Sequence, residues 1–65
     1  MKIGYIKKFE DLHGWGFIEC PEDDEDYFFN VSNVRKGVNV RVGMKVKFDI
    51  TIGQRGDEAE NIGSV

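Results

Sequence analysis

The sequence predicts an all-β fold in which five short strands close, or nearly close, into a small barrel. Eight glycines and one proline are spread through 65 residues, and Val, Ile, Phe and Tyr dominate the stretches between them. This composition is typical of strands that are separated by turns. Because no long helix is indicated anywhere, the five strands have only one another to pack against, which favours a barrel.

The first strand is expected at Lys2–Phe9. Its apolar residues Ile3, Ile6 and Phe9 fall three positions apart, a spacing that a helix also produces. The β-branched residues and Gly4 argue against a helix, because glycine weakens a helix and often marks an irregular strand. The segment is therefore predicted to be a strand that bends through a bulge.

The remaining strands are expected at Trp15–Cys20, Asp26–Val31, Lys45–Ile52 and Glu58–Ile62. The fourth has the clearest pattern, because Val46, Phe48, Ile50 and Ile52 alternate with polar residues. This period of two predicts that all four side chains face the core. One short helical turn is expected at Ser32–Val34, with its serine as the cap.

Strand parity divides the aromatic residues into two sets. If Ile18 and Phe29 point into the barrel, then Trp15, Phe17 and Phe28 must point outward. The reverse assignment would expose Ile18 and Phe29 and would bury Asp26 at the start of the third strand. Outward-facing aromatic residues on neighbouring strands mark a contact surface.

The charge is unevenly distributed along the chain. The net charge is −3, but the acidic run at positions 22–26 carries −5, so the rest of the chain sums to +2. Such a run is commonly a solvated turn that keeps a small protein soluble. Alternatively, it repels nucleic acid from one edge of the barrel and so orients it.

Length and composition exclude several classes of protein. The chain is long enough for one domain, over residues 1–65, and a cofactor pocket would consume most of its core, so neither an enzyme nor a cofactor is expected. A single cysteine allows no internal disulfide, and with a single histidine it cannot form a zinc site, so Cys20 is expected to be a small buried or half-buried apolar residue. No apolar stretch approaches the roughly 20 residues of a membrane span, and no signal peptide is apparent. A cytoplasmic protein without a membrane or small-molecule partner is predicted.

Five blocks of sequence resemble the cold-shock domain family and occur in the family's order and spacing. They are Gly-Tyr-Ile-Lys-Lys-Phe (4–9), His-Gly-Trp-Gly-Phe-Ile (13–18), Asp-Tyr-Phe-Phe-Asn-Val-Ser (26–32), Gly-Met-Lys-Val-Lys-Phe (43–48) and Arg-Gly-Asp-Glu-Ala-Glu-Asn-Ile (55–62). The resemblance spans nearly the whole chain and implies a five-stranded antiparallel barrel of the OB-fold type.

The sequence also departs from the family at positions where the family carries stacking rings. Lys8 stands where the family has an outward tryptophan, while Asn30 and Val31 replace the histidine and phenylalanine that close its second motif. His13 replaces a lysine, and the loop from 32 to 43 is shorter than usual. About half of the family's stacking surface is therefore missing.

The resemblance implies a module that binds single-stranded RNA or DNA and acts as a nucleic-acid chaperone. The expected binding residues are Lys7, Lys8, His13, Trp15, Phe17, Phe28, Asn30 and Arg55. The rings would stack bases, the cations would meet phosphates, and Asn30 would hydrogen-bond a base edge. For the two lysines a role as solvated strand charges stays open, and His13 is otherwise a surface turn residue. The alternative is a cold-shock-like barrel that binds a partner protein through the same rings.

Overall fold

Five strands and one turn of 3-10 helix form the regular structure in the computed structural model, which describes all 65 residues. The strands are β1 (Lys2–Glu10), β2 (Trp15–Cys20), β3 (Glu25–Asn30), β4 (Lys45–Gly53) and β5 (Gly56–Ser64). The helical turn spans Val31–Asn33, between β3 and the long loop that leads to β4. The structure has no helix with the length and hydropathy needed to span a membrane.

The strands close into a barrel in the order β1-β2-β3-β5-β4, with β4 returning to β1. The all-β barrel is therefore confirmed, but the expectation of a purely antiparallel sheet is wrong. Strands β3 and β5 pair in parallel through Phe28 and Glu58. The reason is geometric: directions cannot alternate all the way around a ring with an odd number of strands, so one pair must run parallel.

The bulge predicted in β1 is confirmed. The pairing of β1 with β2 shifts register between Ile6 and Lys8. Ile6 is buried, both lysines that follow it are exposed, and Phe9 turns back inward to stack on Phe29 with ring centroids 6.1 Å apart. The extra residue thus places two adjacent cations on the outside of the same strand.

The core contains the residues that the parity argument placed inside. Its buried members are Ile6, Ile18, Cys20, Tyr27, Phe29, Val46, Phe48, Ala59 and Ile62. Trp15, Phe17 and Phe28 lie outside this cluster and are partly exposed. The reversed face assignment is therefore excluded, and Cys20 is the small buried residue that was expected.

The prediction that all four apolar residues of the fourth strand face the core is wrong for the second half of β4. Val46 and Phe48 are fully buried, but Ile50 is 37% exposed and Ile52 is 85% exposed. Strand β1 pairs with β4 only as far as Phe48. Beyond that point β4 pairs with β5 alone, and β5 keeps its pairing with β3 only as far as Glu58, opposite Thr51, so Ile52 lies on a two-stranded ribbon past the core.

The cap of the helical turn also differs from the prediction. The turn begins at Val31, and its cap is Asn30, whose Oδ1 accepts a hydrogen bond of 3.1 Å from the Ser32 backbone N–H. Asparagine and serine are similarly good caps. Because the third strand ends at Asn30 rather than Val31, the cap lies two residues earlier than expected.

The acidic turn between β2 and β3 is only partly a solvated segment. Asp23 lies inside it and accepts hydrogen bonds from Lys2 Nζ at 2.9 Å and from the Tyr27 hydroxyl at 2.7 Å. These two bonds hold the pKa of the Asp23 carboxyl below its ordinary value, and the bond from Tyr27 has the larger effect. The same contact raises the pKa of Tyr27 above its ordinary value. Asp23 therefore ties the turn to β1 and to the core.

We expect this network to make stability depend on pH at both extremes. The lowered pKa of Asp23 means that its contribution is complete above the ordinary carboxyl value of 3.8 and is lost as the pH falls below it. The raised pKa of Tyr27 means that its contribution is complete below 10.0 and is lost at higher pH. Urea denaturation should show both losses in the wild type and smaller losses in Asp23→Asn. The exposed neighbour Asp24 provides the control, since Asp24→Asn should keep the wild-type dependence; equal pH profiles for the two variants would contradict this account.

Candidate nucleic-acid interface

Three aromatic rings form a continuous surface on the outside of β2 and β3. This aromatic platform consists of Trp15, Phe17 and Phe28. Trp15 stacks on Phe28 with centroids 6.1 Å apart and an interplanar angle of 24°, while Phe17 meets Phe28 edge-on at 5.7 Å and Trp15 edge-on at 6.0 Å. Each ring therefore packs on the other two before any ligand binds.

The strand register explains why these rings meet. Phe17 and Phe28 are direct partners across the β2–β3 pair, and Trp15 is the partner of Asn30. Residues two apart share a face, so Trp15 lies diagonally across from Phe28. Gly16, between the two β2 rings, faces inward and allows close packing of the barrel wall beneath them.

Two cations border the platform and touch its rings. Lys8 Nζ lies 5.2 Å from the centroid of Trp15, and Arg55 Cζ lies 4.7 Å from the centroid of Phe28. Lys8 comes from β1 and Arg55 from the two-residue loop between β4 and β5. Two of the three predicted cations are thus placed beside the predicted rings, at distances typical of cation–π contacts.

Lys7 is placed differently from the other two cations. Its Nζ donates a hydrogen bond of 2.8 Å to Asp26 Oδ2, and this ion pair raises the pKa of Lys7. The pair lies beside Phe17 and Lys8 in a shallow groove of about 390 Å³. In the free protein, the charge of Lys7 is therefore already compensated by the acidic segment.

Among the predicted site residues, His13 is the one whose position least supports a role in binding. It lies in the turn between β1 and β2, with its Nδ1 3.6 Å from Glu10 Oε1 and its side chain 68% exposed. It lines neither of the grooves that border the platform. This placement agrees with the reading of His13 as a surface turn residue, and its role in binding stays a prediction.

A second groove, of about 510 Å³, runs between the platform and the β4–β5 loop. Trp15, Phe28, Asn30 and Arg55 line it together with Glu58, which the sequence did not suggest as a site residue. Asn30 reaches this groove with its amide nitrogen available, because its oxygen caps the helical turn. Glu58 can be recognised as a site residue only from its pairing with Phe28, and that pairing requires the register of β3 against β5.

One group of three potential metal-ligating side chains, Cys20, Glu22 and Asp23, has its ligating atoms within 4.8 Å of one another. The Cys20 sulfur is buried and donates to the carbonyl of Ile3. The Asp23 carboxylate is already held by a lysine and a tyrosine. Cys20 and Asp23 thus already have structural partners, in β1 and β3.

Comparison with known protein families agrees with this description. The family model described as the 'Cold-shock' DNA-binding domain matches residues 2–65. Cold shock protein ScoF of Streptomyces coelicolor is 41% identical over 64 residues, which cover 95% of this chain and 96% of that protein. Cold shock-like protein CspA of Stigmatella aurantiaca is 36% identical over 67 residues, covering all of this chain and 98% of that protein.

The barrel is also similar to a solved structure, that of drosophila Unr CSD456. The two superpose with a TM-score of 0.81 over 98% of this chain at 23% sequence identity. This chain spans 26% of the length of that one, and the likeness concerns the fold alone. None of these comparisons supports the alternative of a barrel dedicated to binding a partner protein.

Proposed function

Because the chain belongs to the 'cold-shock' DNA-binding domain family, we propose that it binds single-stranded RNA or DNA by stacking unpaired bases on the aromatic platform. The observation that carries this proposal is the platform itself. Trp15, Phe17 and Phe28 pack on one another outside the core and are bordered by two cations. Every base has a π-face, so such a surface accepts unpaired bases with little dependence on sequence.

Lys8 and Arg55 have a second role in this mechanism. In the free protein each cation lies against a ring that a base would cover. An arriving strand brings a phosphate with each base, and a phosphate is a stronger partner for a cation than an aromatic face. Each cation can therefore move from its ring to the backbone of the strand while a base takes its place.

Binding of this kind favours unpaired strands over duplexes. A bound strand is withdrawn from base pairing, so hairpins and duplexes melt in proportion to the free protein present. No bond in the nucleic acid is made or broken in this process. The chaperone-like activity, the absence of catalysis and the cytoplasmic location all stay predictions of the sequence.

The test is a titration with oligothymidylate and oligouridylate hexamers over a range of salt concentrations. Each phosphate neutralised on a single strand contributes about −0.7 to the slope of log K against log salt, so Lys8 and Arg55 together predict about −1.4. A double-stranded DNA of the same length should bind more weakly. Failure to bind any single strand at low salt would refute the proposal, and a slope near zero would remove the role given to the two cations.

The ion pair between Lys7 and Asp26 predicts that removing the carboxylate strengthens binding. Asp26→Asn frees Lys7 for a third phosphate, so the slope should steepen to about −2 and the affinity at low salt should rise. Glu25→Gln makes the same change in net charge at an exposed neighbour that does not pair with Lys7. If both variants raise the affinity equally without steepening the slope, the ion pair has no specific effect on binding.

A further inference from the structure

The side chains that line the groove between the platform and the β4–β5 loop indicate which base the protein prefers. We propose that this groove accepts a guanine and that the carboxylate of Glu58 selects it. The inference rests on the proposed function, because a base must first stack on Phe28 or Trp15 to present its edge to Glu58. Stacking alone gives little dependence on base identity, so the inference adds a base preference to the proposed function.

Strand pairing places Glu58 on the same side of the barrel wall as the rings. Glu58 is the partner of Phe28 across the parallel β3–β5 pair. Their successors, Ala59 and Phe29, are both fully buried. Since side chains alternate along a strand, Glu58 must point outward beside Phe28.

The carboxylate of Glu58 is held in place before any ligand arrives. Its Oε2 accepts a hydrogen bond of 3.3 Å from the backbone N–H of Arg55. It lies directly against Gly53, where any Cβ would collide with the carboxyl group. Its Oε1 accepts no hydrogen bond within the protein. Glu58 thus offers an acceptor at the edge of the groove that is oriented by a backbone contact before a base binds.

Asn30 supplies a hydrogen-bond donor to the same groove. Its side-chain oxygen already accepts from the Ser32 backbone, which leaves the amide Nδ2 to donate. Asn30 follows Phe28 by two residues on β3, so both side chains lie on the platform side. The groove therefore offers one donor, at Asn30, and two acceptor oxygens, at Glu58, beside a stacking surface.

Guanine is the base whose edge complements this set. Its pairing edge presents an acceptor at O6 followed by two adjacent donors, at N1 and N2, and two adjacent donors suit the two oxygens of a carboxylate. Uracil and thymine place a carbonyl oxygen where guanine has its second donor, so that oxygen would face the negative charge of Glu58. Cytosine and adenine each offer a single amino group next to a ring-nitrogen acceptor. The arrangement favours guanine and disfavours uracil and thymine.

The experiment compares a thymidylate hexamer with six further hexamers that carry one guanine at each position in turn. For the wild-type protein, at least one position should bind about tenfold more tightly than thymidylate alone, since a good bidentate contact discriminates by about that factor. Inosine at that position should lose most of the gain, because it lacks the amino group at position 2. Glu58→Gln should abolish the difference in affinity between the guanine-containing hexamer and the thymidylate hexamer.

Glu60→Gln is the matched control, because Glu60 is exposed on the same strand, undergoes the same charge change and does not line the groove. It should keep the guanine preference. No gain at any position, or equal binding of inosine and guanine in the wild-type protein, would overturn the inference, as would an equal loss for every hexamer in Glu58→Gln. If Glu58→Gln fails to fold, the inosine comparison still decides the matter. If no hexamer binds the wild-type protein, the proposed function fails instead, so the two failures are distinguishable.

Discussion

Replacing Trp15 by alanine is expected to weaken the binding of single strands by about 1–3 kcal/mol, the usual value of one base–aromatic stack. The loss of folding stability should be smaller, at about 1 kcal/mol, because Trp15 contacts other platform rings and a lysine but is not part of the buried core. Truncating a buried ring costs about 3–5 kcal/mol and would endanger a domain of this size. Trp15→Ala therefore separates binding from stability.

Trp15 also reports directly on its own occupancy, because it is the only tryptophan in the chain. A base that stacks on the indole should quench its emission in proportion to binding, and acrylamide should quench it in the free protein. Ile52→Ala is the control and should keep the wild-type affinity, since this residue is 85% exposed and lies outside the platform. Unchanged affinity in Trp15→Ala, or an indole that is shielded from acrylamide in the free protein, would contradict the placement of the binding surface.

Alternation along strands predicted the platform well but predicted the extent of the core badly. Parity separates the two faces of β2 and β3, and the reverse assignment would have buried Asp26, so the outward placement of Trp15, Phe17 and Phe28 was favoured. Ile50 and Ile52 obey the same alternation and are nevertheless exposed. Alternation shows which side chains share a face, whereas only the pairing of β4 with its neighbours shows where the core ends.

The contacts that the sequence could not predict are those between residues distant in the chain. Lys7 and Asp26 are 19 positions apart, and their ion pair depends on how β1, β2 and β3 pair with one another. Glu58 lies in the groove because β5 pairs in parallel with β3, which places Glu58 beside Phe28. Composition and spacing contain no information on either register, so these two acidic residues were not recognised as parts of the site.

Replacing Gly16 by alanine is expected to destabilise the protein by about 3 kcal/mol or more, a large part of the total for a small domain. A Cβ at this position would collide with the backbone carbonyl of Lys8 and would lie 2.8 Å from the ring of Phe29. The carbonyl belongs to the β1–β2 pair, in which Gly16 is the partner of Phe9. Relief would therefore require separating two paired strands rather than rotating one side chain.

Gly63 provides the matched control, because it is also buried in a strand and lacks a positive φ, while the nearest contacts of an added Cβ are the flexible ends of Arg35 and Lys47 at 3.3–3.4 Å. Urea denaturation followed by Trp15 fluorescence should show a large loss for Gly16→Ala and a small one for Gly63→Ala. Equal stability of the two variants would mean that the close approach of β1 to β2 is not required. The size of the difference also bears on binding, since Gly16 lies between the two β2 rings of the platform. Any variant that forces β1 away from β2 should move Lys8 off Trp15 and disturb the stacking surface together with the fold.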